Sequence, residues 1–600
     1  MSYGKQKRGQ SRFIAGGIVA WAIFLVMVGV VLRSFVGRFR GGEISPGAAP
    51  MPCAAGAVEI SIAYMPLDDE RYMPTVIEQF NQAYVDGKNP VTGQALAAGE
   101  KPICITGKEG SSGTMMQGIV NAVIAPNNQN VERPTLFQPA VSHWLTLANY
   151  YSGQSLFDPA EIQPIALAPV VIAIWKSRLD AIRQTVGYDE IGWEELLAVL
   201  NSPNGWQDYG IPNGRRAVYY GHTNPYVSST GLSTLIAEFY ASARQNNFTG
   251  RSLDLATVND AQVQQGVRDI EAMIRHYSTR TTEFKHFIAQ GPDYVDFAAL
   301  PENNLIYINR FLKPPEQLVT LYPKEGTFWH EHPFGIVHAD WVTPEQAAAA
   351  RVFTQYALTP EVQRLIMSRG FRPANTDVAL ADPIIPENGI AVDGPATTLN
   401  VPSADVVAAI QQSWSFVKKQ ADILLVIDTS GSMGAAGKID QAKQAAHVFL
   451  DGMEASNRVG LVTFSDAVYD LVPMGKIETI KGQLHSAVDG LTANGGTALY
   501  RAVQDTVSRM NADDAQDRIR VVVVLSDGQD TASPISVNDV VQSINASHDD
   551  LNPVILFLVA YGADADVVTL NTLARASATQ VQSGDPATIS GLLVNISSYF

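Results

Sequence analysis

The chain has 600 residues, enough for more than one domain, and its 46% apolar and 17% charged content is that of a folded globular protein. Its 42 basic and 59 acidic residues give a formal net charge of −17, and the Lys and Arg clusters that nucleic-acid phosphates require are absent beyond the N-terminus. Nucleic acid is thereby excluded as a partner, and the acidity otherwise bears only on solubility.

Residues 1–12 form a basic tail with Lys5, Lys7, Arg8 and Arg12, and Phe13 to Leu32 is a run of 20 residues without a charge. A run of that length can span a bilayer, whereas the apolar core of a removable signal peptide has about 7 to 15 residues. The expectation is a signal anchor over 13–32 with a cytoplasmic tail before it. Arg33, Arg38 and Arg40 follow the span, so flanking charge alone orients it weakly. Residues 33–56 are rich in Gly, Pro and Ala and read as a stalk. Cys53 and Cys104 are the only cysteines; they either pair in an oxidising compartment or stand as two small unpaired residues.

Residues 57–400 alternate strands and helices over a length suited to two lobes. Strands are expected at Val58 to Met65, Pro102 to Thr106, Ala166 to Trp175 with a break at Pro169, and the stretch ending at Gly221. Helices are expected at Met73 to Val85, Ser112 to Val123, Val227 to Ala243, Asp260 to His276, Pro344 to Leu358 and Pro360 to Gly370. Lys108-Glu109-Gly110-Ser111-Ser112-Gly113-Thr114 opens one helix and Asn224-Pro225-Tyr226-Val227-Ser228-Ser229-Thr230-Gly231-Leu232 opens another. With the crossover-like run Ile165 to Trp175 and the closing segment Ala347 to Pro373, these stretches resemble two-lobed extracytoplasmic solute-binding proteins used with bacterial transporters.

Amide N–H groups at a helix start, reinforced by hydroxyls, can hold an oxyanion or a carboxylate. Ser111, Ser112 and Thr114 on one lobe and Ser228, Ser229 and Thr230 on the other are therefore candidate solute-binding residues. Each of them is equally readable as a helix N-cap. Trp329-His330-Glu331-His332 lacks the His spacing of a helical zinc site and reads as a surface loop or strand. No nucleophile elbow or P-loop occurs, so nothing points to an enzyme.

Residues 375–400 read as irregular chain and 401–420 as a connecting helix, with Val406, Val407, Ile410, Trp414 and Val417 at helical spacing. In 421–600, the apolar run Ala421 to Ile427 ends in Asp428-Thr429-Ser430-Gly431-Ser432, followed by a helical pattern from Lys438 to Glu454. A second buried strand, Arg518 to Ser526, ends in Asp527. Both aspartates would reach the carboxyl edge of a doubly wound α/β sheet, where ligands bind at the switch point in strand order. Oxygen-only donors there suit a hard cation.

Asp428, Ser430, Ser432, Thr497 and Asp527 match, without a departure, the Asp-x-Ser-x-Ser, Thr, Asp pattern of the metal-ion-dependent adhesion site. Residues 421–600 thus resemble a von Willebrand factor type A domain with a doubly wound, Rossmann-like fold. The resemblance implies a cation, Mg2+ or else Mn2+ or Ca2+. Ser430, Ser432 and Thr497 would touch it directly, and Asp428 and Asp527 would act mainly through water. It also implies an open coordination position for a carboxylate on a protein or glycan partner, hence binding rather than hydrolysis. The whole then reads as a bacterial single-pass membrane protein with its bulk outside the cytoplasm and a metal-dependent interaction domain presented by a solute-binding-like one. The alternative is a small-molecule receptor, for an anion or other solute, serving a transporter or signalling system, with the A-type domain as docking module.

Overall fold

Among the described residues three sheets organise the chain, and the order in which the backbone visits them places both candidate sites. The computed structural model describes residues 53–65, 71–127, 131–212, 217–275, 277–513, 517–548, 553–562, 565–577, 579, 581–597 and 599–600. The apolar run 13–32 lies outside them, and among the described residues no helix is long and apolar enough to cross a membrane.

The first lobe is a five-stranded sheet in the order Ile103–Glu109, Val58–Tyr64, Leu136–Gln138, Pro333–Ile336, Gln163–Pro164. Helices Met73–Val85 and Pro344–Ala357 pack against it, with the rings of Phe80 and Phe353 5.0 Å apart. A disulfide joins Cys53 to Cys104 in the edge strand, with Cα atoms 5.5 Å apart. The second lobe centres on Ala166–Trp175, which pairs antiparallel with Phe297–Pro301, Leu318–Leu321, Trp329–His330 and Arg372–Pro373.

The chain crosses between lobes next to Ile165, again at Glu331 and His332, and a third time just before Arg372, and Ile165 N–H donates to the Glu331 carbonyl at 3.2 Å, so the first two crossovers lie side by side. Two expectations fail here. The strand runs unbroken through Pro169, which is registered opposite Trp329 and falls, on the ladder to its other partners, between residues paired to Arg372–Pro373 and residues paired to Phe297–Pro301. The Trp329-His330-Glu331-His332 stretch is not a surface segment: His330 and His332 are buried, and burial lowers both imidazole pKa values, so they are neutral.

The third sheet has the order Val468–Lys476, Arg458–Phe464, Gln420–Asp428, Arg518–Ser526, Val554–Tyr561, Gln582–Gly584, all parallel except the first pair. Apolar helix faces cover both sides: Ala442, Ala446 and Phe449 on one, Leu499, Val503 and Val507 on the other. The chain leaves the Gln420–Asp428 strand in one direction and returns on its other flank as Arg518–Ser526, which makes the gap between these two the switch point.

Helix Ala404–Val417 joins the second lobe to this sheet without slack. Trp414 is 2% exposed and packs edge-on to Tyr277 at 5.4 Å and against Tyr226 at 6.0 Å. Lys419 N–H donates to the Tyr277 hydroxyl (2.9 Å), Tyr277 N–H to the Tyr599 carbonyl (3.0 Å) and Arg275 to the Ser577 carbonyl (2.8 Å). One buried apolar cluster runs through the lobes, the helix and the third sheet. Truncating the ring at its waist, Trp414→Ala, should cost about 3 to 5 kcal/mol. Scanning calorimetry should then show residues 421–600 unfolding separately from the rest.

Candidate metal centre

In-register pairing of Gln420–Asp428 with Arg518–Ser526 sets Ile427 opposite Leu525, so Asp428 comes level with Ser526, and Asp527, one residue further on, emerges beside them at the carboxyl edge. Both carboxylates are fully buried. Asp428 accepts from Ser430 N–H at 2.8 Å and from the Ser526 hydroxyl at 2.7 Å. Asp527 accepts from the Ser432 hydroxyl at 2.7 Å and from the Lys438 ammonium at 2.6 Å. The Ser430 and Ser432 hydroxyls are 3.0 Å apart.

Thr497 arrives on a separate loop held by backbone bonds that include Gly431 N–H to the Gly495 carbonyl, Asn494 N–H to the Thr429 carbonyl, Ala498 N–H to the Ser465 carbonyl, and Thr531 and Ala532 N–H to the Thr497 carbonyl. Gly495 adopts φ +83°, a conformation that suits glycine, and Asp466 accepts from Gly496 N–H at 2.7 Å. A Cβ added at Gly528 would lie 3.7 Å from the Ser432 hydroxyl and 3.8 Å from that of Thr497, so both hydroxyls bracket one small space at the sheet edge. Ser432 and Gly431 are exposed, whereas Ser430 and Thr497 are buried, which gives the space a closed floor and an open mouth.

All five sequence-predicted oxygens therefore converge, and a hard cation fits the donor set: three hydroxyls and two carboxylates, each already oriented. Such an ion would supply positive charge between the carboxylates and a Lewis-acidic position at the mouth. Two supporting residues escaped the sequence reading. Ser526 was legible only as the end of a strand, and Lys438 only as the start of helix Lys438–Gly452, though a buried ammonium at Asp527 is the largest positive charge near the site.

The helix-start residues of the two lobes also meet. Gly113 N–H donates to the Val227 carbonyl at 3.2 Å, and a side chain at 113 would collide with the Tyr226 carbonyl. Ser228 is an N-cap, accepting from Gly231 N–H; Ser229 accepts from the Trp144 indole at 2.9 Å, and Thr230 from Thr281 at 3.1 Å. Ser112 accepts from Ala140 N–H at 3.3 Å, Ser111 has a buried hydroxyl without a partner, and Thr114 is exposed. The lobes thus touch directly at the point expected to hold a solute.

A family model for the bacterial extracellular solute-binding protein matches residues 92–391, and one for the von Willebrand factor type A domain matches 422–590. The human inter-alpha-trypsin inhibitor heavy chain H6 is 29% identical over 164 residues, covering 26% of this chain and 12% of its own. An uncharacterized protein of Mycobacterium tuberculosis is 22% identical over 271 residues, covering 42% of this chain and 38% of its own. The chain thus spans well under half the length of either relative. Among solved structures, a periplasmic thiamin binding protein matches at 12% identity and a TM-score of 0.40, over 62% of this chain and 99% of that one.

Burial pushes the Asp428 carboxyl above its ordinary pKa, the bonds from Ser430 and Ser526 pull it back, and the Asp527 charge pushes it up again. A folded-state pKa above the unfolded one means stability that is present at low pH and lost as pH rises through the folded value. The ionised form of Asp428 therefore burdens the metal-free domain. Asp428→Asn, which keeps the shape, should raise the melting temperature in chelator at pH 7. It should also abolish the rise that Mg2+ gives the parent chain, about 2.7 kcal/mol at a hundredfold excess over Kd.

Proposed function

Because this chain belongs to the bacterial extracellular solute-binding protein family and carries a von Willebrand factor type A domain at residues 422–590, we propose that it is a membrane-anchored, extracytoplasmic binding protein. Its A-type domain engages a protein or glycan carboxylate through a divalent cation, Mg2+ in the first instance, at Asp428, Ser430, Ser432, Thr497 and Asp527. The anchor is the apolar run 13–32, with residues 1–12 in the cytoplasm.

The observation that carries this reading is the convergence of those oxygens at the end of the domain farthest from its attachment. Lys419, Ser577 and Tyr599 contact the second lobe, and Lys419 immediately precedes the strand that ends at Asp428. A strand of 9 residues separates attachment from site, roughly 30 Å at about 3.3 Å per residue. The metal face thus points away from the solute-binding-like half and is free to meet a large partner. Hydroxyl ligands leave the charge of the ion under-compensated, which favours an anionic ligand at the open position.

Family membership of the larger domain supports a second reading, a small-molecule receptor in which the A-type domain docks to another component. Ligand-induced thermal stabilisation confined to residues 57–400 would favour it.

The test uses the full chain in detergent and surfaces bearing acidic peptides, their amidated counterparts and uronate-containing glycans. Mg2+ should give retention on the carboxylate surfaces alone. Chelator, Asp428→Ala and Thr497→Ala should each reduce it at least tenfold. Retention that ignores Mg2+, or equal retention on amidated peptides, would refute the metal-dependent reading.

A further inference from the structure

Away from the sheet edge, the second lobe encloses His222, Glu238 and Glu271, all three with no exposed surface. The His222 Nε2 lies 3.1 Å from Glu271 Oε1 and 3.9 Å from Glu238 Oε1, and one ligand-capable atom from each residue falls within 4.8 Å of the others. Neither carboxylate has a lysine or arginine partner among the described residues. Glu238 Oε2 is buried and accepts no hydrogen bond.

The remaining bonds orient the three groups toward one another. His222 Nδ1 is 2.8 Å from the Thr223 carbonyl, and because a carbonyl only accepts, Nδ1 carries the hydrogen. Burial pulls the imidazole pKa down, but the charges of Glu271 and Glu238 outweigh it and raise it to about 9, so without an ion Nε2 carries a proton toward Glu271. An ion that displaced this proton would meet a lone pair already aimed between the carboxylates, the arrangement by which a metal-binding histidine is fixed. Tyr220 donates to Glu238 Oε1 at 3.0 Å and Tyr277 to Glu271 Oε2 at 2.5 Å, which leaves Glu238 Oε2 without a partner and Glu271 Oε1 facing His222 Nε2.

We propose that His222, Glu238 and Glu271 bind a divalent transition-metal ion of the Zn2+, Mn2+ or Fe2+ class, separate from the cation of the A-type domain. Two numbers favour it. Ligands about 2.1 Å from a tetrahedral ion lie roughly 3.4 Å from one another, and the 3.1 and 3.9 Å separations bracket that value. Charge also closes: two carboxylates, a neutral imidazole and one divalent ion sum to zero, whereas without the ion neutrality takes two protons, one on His222 and one on Glu238, whose carboxyl burial pushes well above its ordinary pKa. The mixed nitrogen and oxygen set suits these ions better than Mg2+ or Ca2+.

Its consequence would be structural. Tyr277 ties Glu271 to Lys419 N–H, and its own N–H reaches Tyr599, so an ion here would brace the junction between the lobe and the third sheet. Because the site is sealed, the ion would enter during folding and exchange slowly.

The full chain, expressed in medium containing Zn2+, Mn2+ and Fe2+ and dialysed against chelator, would be analysed by elemental mass spectrometry beside three variants. Asp428→Ala/Thr497→Ala removes the sheet-edge site, Glu238→Gln replaces one proposed ligand with its isostere, and Glu271→Gln does the same for another. About one transition-metal ion per chain is expected in the parent and in the sheet-edge variant, falling at least tenfold in both glutamine variants. Should those variants fail to fold, Co2+ incorporated during expression should give visible absorption bands of a nitrogen- and oxygen-ligated site in the sheet-edge variant. A parent chain without transition metal, metal retained in Glu238→Gln and Glu271→Gln, or Co2+ lost with the sheet-edge substitutions would overturn the proposal and leave a proton shared among His222, Glu238 and Glu271.

Discussion

The register between Gln420–Asp428 and Arg518–Ser526 is the constraint on which the A-type domain depends. It pairs Val426 with Val524 and Ile427 with Leu525, and in doing so it leaves two aspartates side by side where the strands run out. Neither can retreat to solvent, because both are fully buried. Everything around them answers that charge: hydroxyls of Ser432 and Ser526, the amide of Ser430, the ammonium of Lys438. These are partial answers. A slip of one residue would turn the apolar side chains of either strand to the wrong layer, so core and site are specified together.

The attachment of this domain follows from the same strand. Its amino end is anchored by Lys419 on Tyr277 and its carboxyl end carries the candidate site, so packing against the second lobe and exposure of that site do not compete for surface. Trp414 fills the angle between helix and lobe and makes the junction part of one core. Movement of the lobes would be transmitted through that core as a rigid displacement and not absorbed by a tether. The direct contact of the two helix starts, Gly113 against Val227, means that opening the lobes would break bonds that now satisfy buried groups such as Ser229 and the Trp144 indole.

The sequence made the α/β architecture and the five convergent oxygens legible because each rests on local signals: an apolar run ending in Asp, hydroxyls at fixed spacing, four consecutive valines before Leu525. What it hid is set by long-range contact. Lys438 looks like any helix-opening lysine until the fold brings Asp527, 89 residues away, to its ammonium. The helix expected to run to His276 ends at Glu271, because the chain turns there and Ile274 bridges to Tyr220. Val468–Lys476 shows no apolar run because it is an edge strand with mostly solvated side chains. His330 and His332 looked like surface residues because polar residue types carry no mark of a crossover between lobes.

The two acidic clusters solve buried charge in opposite ways. At the sheet edge, exposed Ser432 and Gly431 leave the floor of aspartates one step from water, so a cation bound there would exchange with solvent and would offer a position to another molecule. In the second lobe, His222, Glu238 and Glu271 have no path of comparable openness, and their remaining polar partners, Tyr220 and Tyr277, belong to the scaffold. Charge that can reach solvent is suited to recognition, because the free energy of compensating it is available to a partner. Charge sealed in a core is compensated during folding or not at all, and that energy goes into holding neighbouring elements in place.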